Sequence, residues 1–377
     1  MHYRVISADD HVVEAPEVFD RVPAALRDQV PHIERREERD CWVLDGKVVG
    51  NLFSRVGVHP SEWGDLRTDG NYDTIQPGAW NPTARLEDYS QDGVDAAVLF
   101  PNVAGFAGDP VWYVSNLEAR LAAIRSYNDW LVEDFCSADP ARLIPLCIVP
   151  SWDAELAAAE ARRAVEKGHR GVIFSAAMDL FGQKPTFHPY WDPLWATIEG
   201  LDVPSCLHQL SQAITRPTVR GQAPPEVSNM LTAWAAWHLV SMAEPLPELL
   251  LAGFLDRFPR LRIFLAEVGV GWIPAVLTQT DYMWEKYRYH REPKLKMRPS
   301  EYWQRNFAAG FWSEPIHPFL LETLGAHTIL WEGDYPHSVA TFPDSQSHIQ
   351  RSLAQVADDK TRAKILAGNA IRLFHLA

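Results

Sequence analysis

Short apolar runs rich in β-branched and aromatic residues alternate along the chain with longer stretches whose apolar residues recur at helical spacing. This alternation is typical of β-α-β units, in which helices cover a parallel sheet. Most of the runs are apolar on both faces, as buried parallel strands are. The eight predicted strands are 4–8, 96–100, 143–149, 171–175, 203–208, 261–267, 306–310 and 328–331. Eight strand and helix pairs predict an α/β fold, a single (β/α)8 TIM barrel.

Several of the intervening helices carry clear start and stop signals. A capping box, Ser115-Asn116-Leu117-Glu118, opens a helix that is predicted to run to about Phe135. The other predicted helices are 153–167, which is closed by Gly168, a helix that ends before Pro259, and 360–374. The helices therefore fall between the predicted strands, as a barrel requires.

One segment, from about 15 to 85, interrupts the alternation after the first strand and is rich in Pro, Trp and charged residues. It is too long for a plain connection, and 41–49 resembles a hairpin that turns at Asp45-Gly46. An insertion at this point of a barrel lies over the end where the strands finish. We therefore predict one domain over 1–377, with a lid-like insertion.

Composition narrows the possible partners. The 377 residues are 47% hydrophobic and carry a net charge of −14, and Lys and Arg are dispersed rather than clustered. Nucleic acid is therefore not expected as a partner, and a small, mostly apolar substrate is favoured. No apolar run approaches the roughly 20 residues that span a bilayer, so no membrane association is expected either.

The cysteines and the N-terminus bear on the compartment. The four cysteines, at positions 41, 136, 147 and 206, form no C-x-x-C pair. Reduced, buried thiols are therefore expected rather than disulfides. The chain enters a predicted strand at once, which leaves no room for an export signal. A cytoplasmic protein is expected.

Polar residues that can bind metal occur where predicted strands end. Asp9 and His11 leave the first strand, and residues two apart on a strand point the same way. His208 ends the fifth strand and Asp334 follows the eighth. Each alone has an ordinary explanation, as a surface acid, a hydrogen-bonded core histidine or a helix cap. Together they fall at one end of the predicted barrel, which indicates a site for Zn²⁺, Mn²⁺ or Fe²⁺.

Four features of the sequence resemble a known family. They are Asp9-x-His11-x-x-Glu14, the strand-five His208, the block Trp331-x-Gly-Asp-Tyr-Pro-His337 and the closing Asn369-Ala370-Ile371-Arg372-Leu373-Phe374. In this order they resemble the amidohydrolase-related branch of the amidohydrolase superfamily, which includes metal-dependent hydrolases and nonoxidative decarboxylases similar to aminocarboxymuconate-semialdehyde decarboxylase. The resemblance implies a barrel with metal at Asp9, His11, His208 and Asp334, the last also accepting a proton, and favours a homodimer.

The chain departs from this family at two positions. Many relatives begin with His-x-His or Glu-x-His, whereas this chain has Asp9-x-His11. Relatives of the decarboxylase type place a histidine at the end of strand six, where this chain has Glu267. Glu267 could ligate the metal, bind a second metal or act as an acid; a structural pairing with a nearby base is the alternative. One metal ion or two are therefore possible.

The residues around these positions suggest further roles. His337, three residues after Asp334, could contact a leaving group, hold a ligand in place or cap the next helix. His188 and His238 are expected to have core or supporting roles. Tryptophans in or near predicted loops at the mouth suggest a broad apolar pocket; they are Trp63, Trp80, Trp112, Trp272 and Trp331.

The leading hypothesis from these residues is a metal-dependent hydrolase of an ester, thioester or amide in a mostly apolar substrate, which can be cyclic. The metal would activate water, with Asp334 accepting the proton and His337 and Glu267 as further catalytic candidates. The alternative is a metal-dependent nonoxidative decarboxylase of an aromatic or unsaturated carboxylic acid. A third hypothesis is a barrel that binds ligand without catalysis.

Overall fold

The computed structural model describes residues 2–50, 70–105, 111, 113–209, 236, 239–287, 289 and 294–377. Within these residues twelve strands occur. They are β1 Ile6–Val12, β2 His32–Arg36, β3 Arg39–Leu44, β4 Lys47–Gly50, β5 Ala96–Pro101, β6 Leu143–Pro145, β7 Cys147–Ile148, β8 Val172–Ile173, β9 Ser205–His208, β10 Ile263–Ala266, β11 Phe307–Phe311 and β12 Ile329–Trp331. All eight predicted barrel strands are present, including the seventh as β11.

Nine of these strands build the barrel in two parallel arcs. One arc has the order β1-β5-β6, and the other runs β12-β11-β10-β9-β8-β7. β6 and β7 are separated only by Leu146, so together they form the third of eight strand positions and connect the arcs. Every described pairing within the arcs is parallel and between neighbours, as in a (β/α)8 barrel. The predicted fold class is confirmed.

The two arcs also meet where β1 lies beside β12. The amide of Asp334 donates to the carbonyl of Asp9 at 2.9 Å, and the amide of His11 donates to the carbonyl of Tyr335 at 2.7 Å. The hydroxyl of Ser7 accepts from the amide of Gly333 at 2.7 Å. These bonds connect β1 with the residues that follow β12, and the predicted metal-binding residues Asp9, His11 and Asp334 lie in these two segments.

Helices cover the outside of the strands. Their bounds are Pro82–Asp92, Leu117–Trp130, Ala154–Lys167, Asp192–Leu201, Pro245–Leu251, Phe254–Arg257, Ile273–Tyr287, Pro299–Asn306, Pro318–Leu320, Ser345–Ser352, Asp359–Ala363 and Asn369–Phe374. The helix that was predicted to open with a capping box at Ser115 is instead capped by Asn116, whose side chain accepts from the amide of Glu118, and the helix Ala154–Lys167 is capped by Asp153, which accepts from the amide of Leu156. The barrel interior and the inner helix faces share one continuous apolar core.

The insertion after β1 has a small antiparallel sheet of its own, β2-β3-β4. The predicted hairpin is confirmed as β3 and β4, with Asp45 and Gly46 at positive φ in the turn. The strand β2, which precedes it, was not predicted. Residues 51–69 lie outside the described part of the chain, so the interpretation of the insertion as a lid stays a prediction, as does the single-domain organisation.

Candidate metal centre

The predicted ligands sit on three different strand ends and converge. Asp9 and His11 are part of β1, His208 is the last residue of β9, and Asp334 follows β12 by three residues. All four side chains are completely buried. Parallel strands finish on the same side of a barrel, which is why residues hundreds of positions apart meet here.

The donor atoms are spaced as ligands of one ion are. His11 Nε2 lies 3.2 Å from His208 Nε2, and 3.6 Å from both Asp9 Oδ1 and Asp334 Oδ1. His208 Nε2 lies 3.3 Å from Asp9 Oδ2. Two ligands about 2.1 Å from one ion in tetrahedral directions are about 3.4 Å apart. Asp9, His11 and His208 are therefore spaced for a single divalent cation, and Asp334 approaches this group at His11.

The two imidazoles are oriented by their other nitrogen. His11 Nδ1 lies 3.1 Å from the carbonyl oxygen of Pro101, and His208 Nδ1 lies 3.0 Å from that of Gln209. A carbonyl can only accept, so each Nδ1 carries a proton and each Nε2 faces the centre, where it can bind a cation in place of a proton. Histidine ligands of metals are held in this way.

The carboxylates also fit a cation. Both carboxylate oxygens of Asp9 and Oδ2 of Asp334 are buried and have no hydrogen bond within the described residues. Buried charged oxygens without donors are costly unless a cation neutralises them. Imidazole and carboxylate together suit Mn²⁺, Zn²⁺ or Fe²⁺. The structure thus contains a buried group of His, Asp and Glu side chains that could hold a divalent metal, and the assignment of the individual ligands stays a prediction.

Glu267 and His337 adjoin the same centre. One ligand atom from each of Asp9, His11, His208 and Glu267 lies within 4.8 Å of the others, and the same holds for His11, Glu267, Asp334 and His337. Glu267 thus belongs to both groups, with Oε2 3.3 Å from His208 Nε2. Its side chain is 8% exposed, whereas those of Asp9 and His208 are 0% exposed, so it is the carboxyl nearer the mouth.

Two of the site carboxylates stand on left-handed backbone. Glu267 has a φ of 53° and Asp334 a φ of 58°. This conformation is uncommon for residues other than glycine and is retained at functional sites when the surroundings enforce it. In both cases the residue follows the end of a barrel strand, so the turn of the backbone directs the side chain over the barrel.

The electrostatics are those of a concentrated group of acids. Burial, followed by the neighbouring Asp334, raises the pKa of Glu267 to about 8. Burial and Asp9 raise the pKa of Asp334 well above its usual range. Burial lowers the pKa of His208, but the negative charges of Asp9 and Glu267 outweigh the effect of burial and raise this pKa to about 9. The centre therefore attracts positive charge, as a cation site does.

A hydrogen-bonded chain links Glu14 to Asp334. The Glu14 carboxylate accepts from the backbone amides of Asn102, Val103 and Ala104 at 2.9 to 3.0 Å. This fixes the loop after β5 and places Asn102 Oδ1 3.3 Å from His337 Nε2. His337 Nδ1 lies 2.6 Å from Asp334 Oδ1. His337 thus holds Asp334 in place, one of the roles that the sequence suggested.

A second network, not predicted from sequence, supports β1 from behind. The guanidinium of the fully buried Arg85 donates to the carbonyl of His11 at 2.7 Å and to the hydroxyl of Tyr89 at 3.0 Å. Tyr89 in turn donates to Asp10 at 2.6 Å. The only signal in the sequence was Asp10 itself, between two predicted ligands.

The remaining candidates are placed as follows. Trp331 is completely buried on β12, and Trp272 donates from its indole nitrogen to the carbonyl of Val268 at 2.8 Å. Trp80 packs edge-on against Tyr72, and exposed His188 caps the turn that begins at Pro189. Trp63, Trp112 and His238 lie outside the described residues. A substrate-binding role for the tryptophans stays a prediction.

The geometry and the sequence together define the class of protein. The amidohydrolase family model matches residues 22–376, and the chain belongs to this family. Its superfamily membership, inferred above from four motifs, is confirmed. The chain is an enzyme of the amidohydrolase superfamily.

Particular relatives give a finer comparison. The chain is 27% identical over 304 residues to gamma-resorcylate decarboxylase of Rhodococcus jostii (strain RHA1), which covers 78% of this chain and 87% of the relative. An amidohydrolase from Mycobacterium avium subsp. paratuberculosis K-10 superposes with a TM-score of 0.74 at 19% identity, over 99% of this chain and 100% of the other. A 5-carboxyvanillate decarboxylase from Novosphingobium aromaticivorans DSM 12444, solved with bound manganese, has a TM-score of 0.68 at 19% identity, over 99% and 97%.

These comparisons correct the leading hypothesis from sequence. We expected a hydrolase, but the curated relatives that match are named as decarboxylases. They include the gamma-resorcylate enzyme and a decarboxylase of Emericella nidulans that is 30% identical over 227 residues, 57% of this chain and 65% of the relative. Hydrolysis was favoured because the ligand set alone suits activated water, and the same set serves either reaction.

Within the described residues, no helix is long and apolar enough to cross a bilayer.

Proposed function

We propose that this protein is a metal-dependent nonoxidative decarboxylase of an aromatic carboxylic acid. The observation that carries the proposal is the buried set of Asp9, His11 and His208, whose donor atoms are spaced for one divalent cation, with Asp334 Oδ1 3.6 Å from His11 Nε2. The names of the matching relatives support decarboxylation, and the manganese in one solved neighbour supports Mn²⁺ as the ion. A homodimer in the cytoplasm remains a prediction from the sequence.

The reaction replaces a carboxyl group by hydrogen. A proton is delivered to the ring carbon that bears the carboxylate, a carbon-hydrogen bond forms, and the carbon-carbon bond to the carboxylate breaks. Its electron pair returns to the ring and carbon dioxide leaves. A bound divalent cation would supply Lewis acidity that holds the substrate's oxygen atoms and draws electron density from them. The protein must then supply the proton and exclude water.

Its position in the site supports Glu267 as the donor of that proton. It is the carboxyl nearest the mouth of the site, 3.3 Å from a nitrogen of His208, and it lies within reach of both groups of ligand atoms. Substrate that enters from the mouth meets Glu267 before it meets Asp9 or Asp334, which are fully buried. A general acid must lie within hydrogen-bond reach of the atom that it protonates. Its slight exposure allows Glu267 to regain a proton from solvent after each turnover.

Asp334 and His337 have a different task in this mechanism. Asp334 Oδ1 accepts from His337 Nδ1 at 2.6 Å and lies 3.6 Å from His11 Nε2, while Oδ2 is buried without a hydrogen bond from the described residues. His337 is in turn held by Asn102. The pair thus fixes the position of a ligand whose backbone is left-handed and strained. Trp272, directly after the turn that carries Glu267, is proposed to pack against the substrate ring.

The names of the relatives also suggest the kind of ring. Solved neighbours include a 2,6-dihydroxybenzoate decarboxylase from Rhizobium and a 5-carboxyvanillate decarboxylase bound to a hydroxy-methoxy-nitrobenzoic acid. We therefore propose a benzoic acid with at least one ring hydroxyl as the substrate. A hydroxyl beside the carboxylate would give the cation two oxygen atoms to hold, and this orients the ring.

The test is carbon dioxide release from Mn²⁺-loaded protein with a panel of hydroxybenzoic acids that includes 2,6-dihydroxybenzoate. In D₂O, the product should carry one deuterium at the carbon that lost the carboxyl group. Glu267→Gln should lower kcat at least about 100-fold, the usual contribution of a general acid, and retain bound Mn²⁺. Glu155→Gln, on an exposed helix face, is the matched control. Absence of carbon dioxide across the panel from loaded wild-type protein would contradict the proposal.

A further inference from the structure

Glu332 is a buried carboxyl that neither the ligand set nor the proposed mechanism uses. It follows directly after β12 and is completely inaccessible. Its Oε2 accepts a hydrogen bond from the backbone amide of Glu267 at 3.3 Å. Its Oε1 has no hydrogen bond among the described residues. A carboxyl in such a position is costly to bury, which calls for a function that offsets the cost.

The place of Glu332 depends on a glycine in the neighbouring strand. A Cβ atom on Gly310, in β11, would lie 1.8 Å from Oε2 of Glu332 and 2.4 Å from its Cδ. Atoms cannot approach so closely, and Gly310 stands in the middle of a fully buried strand. The absent side chain of Gly310 therefore creates the space in which the carboxyl lies.

The bond from Glu332 acts on the residue whose backbone is strained. Glu267 has a φ of 53°, which is unfavourable for a residue with a side chain. A second carboxylate holds the rest of the same turn: Glu314 accepts from the amides of Val270 and Gly271. The two carboxyl groups thus accept hydrogen bonds from backbone amides at both ends of the turn 267–271, and these bonds favour one conformation of the turn.

We propose that Glu332 is a positioning residue, which holds Glu267 over the reacting carbon by accepting its backbone amide from the space beside Gly310. The functional part of this inference rests on the proposed function, in which Glu267 delivers the proton. Glu332 does not appear in either group of ligand atoms within 4.8 Å of one another. Its contribution is therefore a hydrogen bond to the backbone rather than metal ligation.

Substitution of Glu332 separates these two roles. A glutamine keeps the shape and an oxygen that accepts the amide, whereas a leucine of similar size does not. We expect kcat of Glu332→Gln to stay within about threefold of wild type and that of Glu332→Leu to fall about tenfold, because one hydrogen bond is worth up to about this factor. The KM of both variants should stay within about threefold of wild type. Loss of Mn²⁺ or of kcat in Glu332→Gln would show that the carboxylate itself is needed, and would overturn the proposal.

A readout that does not need catalysis is hydrogen exchange of the Glu267 amide. On Mn²⁺-loaded protein, exchange at Glu267 should speed up in Glu332→Leu and stay as in wild type in Glu332→Gln. Unchanged exchange in Glu332→Leu would refute the positioning role. If the protein releases no carbon dioxide, the proposed function fails. The exchange measurement would still show whether Glu332 holds the backbone amide of Glu267.

Gly310 gives a second, independent test. In Gly310→Ala the new methyl group occupies the space of the carboxyl, so kcat and exchange should change as in Glu332→Leu. In a protein that already carries Glu332→Ala, adding Gly310→Ala should change kcat and exchange little, since the carboxyl that the methyl group would displace is gone. Gly200→Ala, where a Cβ meets no atom within 4 Å, is the matched control. Equal effects of Gly310→Ala with and without the Glu332 carboxyl would contradict the proposal.

Discussion

Two adjacent aspartates on β1 show how surroundings assign different tasks to the same side chain. Asp9 and Asp10 are both completely buried. Asp10 accepts from Ser7 Oγ and from Tyr89 at 2.6 Å, and from the amide of Tyr335 at 3.2 Å. The oxygens of Asp9 have no hydrogen bond from the described residues and face His11 and His208 instead. Asp10 is therefore satisfied by the protein, whereas Asp9 would need a bound cation to offset its buried charge.

This contrast predicts opposite outcomes for two isosteric substitutions. Asp9→Asn should weaken Mn²⁺ binding at least about tenfold, because a neutral amide is a poorer ligand than a carboxylate, and should leave the unfolding free energy of the metal-free protein within about 1 kcal/mol. Asp10→Asn should bind Mn²⁺ normally and lose about 1–3 kcal/mol of stability, since an NH₂ group then faces hydrogen-bond donors. Mn²⁺ titration and urea unfolding measure the two effects. Similar Mn²⁺ affinities for both variants would refute the distinction.

At the scale of single residues, the sequence predicted the side chains that follow apolar strands. Asp9, His11, His208 and Asp334 could be found because strand ends converge in a barrel. Glu332 and Asp10 could not be assigned a role, since their tasks depend on the absent side chain of Gly310 and on Tyr89. These partners come from other elements of the fold, and no local spacing indicates them.

At the scale of elements, β1 reaches further than its apolar pattern predicts. The predicted strand ended at 8, whereas β1 spans Ile6–Val12 and contains the polar residues of the site. Its pairing with β5 shifts between Ser7 and Asp10, so β1 carries one extra residue there. Bulges of this kind redirect side chains near active sites. A run of buried polar residues resembles a loop in sequence, and for this reason the strand end was missed.

The helix Pro82–Asp92 supports this irregular strand through Arg85, which predicts a large effect for a substitution far from the mouth. Arg85→Met leaves the carbonyl of His11 and the Tyr89–Asp10 pair without their buried donor. We expect a loss of about 3 kcal/mol in the unfolding free energy, in the range for breaking buried charged networks, together with weaker Mn²⁺ binding. Urea unfolding of the metal-free protein measures the first effect.

The matched control is Arg260→Met, since the Arg260 side chain is 75% exposed and pairs with Glu199 only at 3.7 Å. Its stability should stay within about 0.5 kcal/mol of wild type. Equal stability of the two variants would show that Arg85 does not support β1.

At the scale of the whole molecule, the order of the barrel strands could be predicted from sequence, whereas the structure of the insertion after β1 could be predicted only in part. Alternating apolar runs gave all eight strand positions, because burial on both faces leaves a strong pattern. In the insertion the hairpin β3–β4 was recognised from Asp45-Gly46, but β2 was not, since its residues His32–Arg36 are mostly polar. Polar strands that face solvent on one side leave little signal for sequence analysis.

The metal centre also links parts of the barrel that backbone pairing keeps in different arcs. Asp9 and His11 belong to the arc β1-β5-β6. His208 belongs to the arc that runs from β12 to β7, and Asp334 follows β12. A cation bound by Asp9, His11 and His208 would join the arcs at the ends of the strands. Because this binding requires the folded arrangement, its free energy adds to the stability of the whole protein.

We therefore expect Mn²⁺ to raise the melting temperature of chelator-treated protein. At 100 times its Kd a bound ligand stabilises by about 2.7 kcal/mol, which for a chain of 377 residues corresponds to about 3 °C. Hydrogen exchange should slow at the amides of His11 and Asp334, which form the seam between β1 and the residues that follow β12. Mg²⁺ at the same concentration should have little effect, because it prefers oxygen ligands and this site offers two imidazoles. Equal stabilisation by Mg²⁺, or Mn²⁺ binding without slower exchange at the seam, would contradict a cation that joins the two arcs through these side chains.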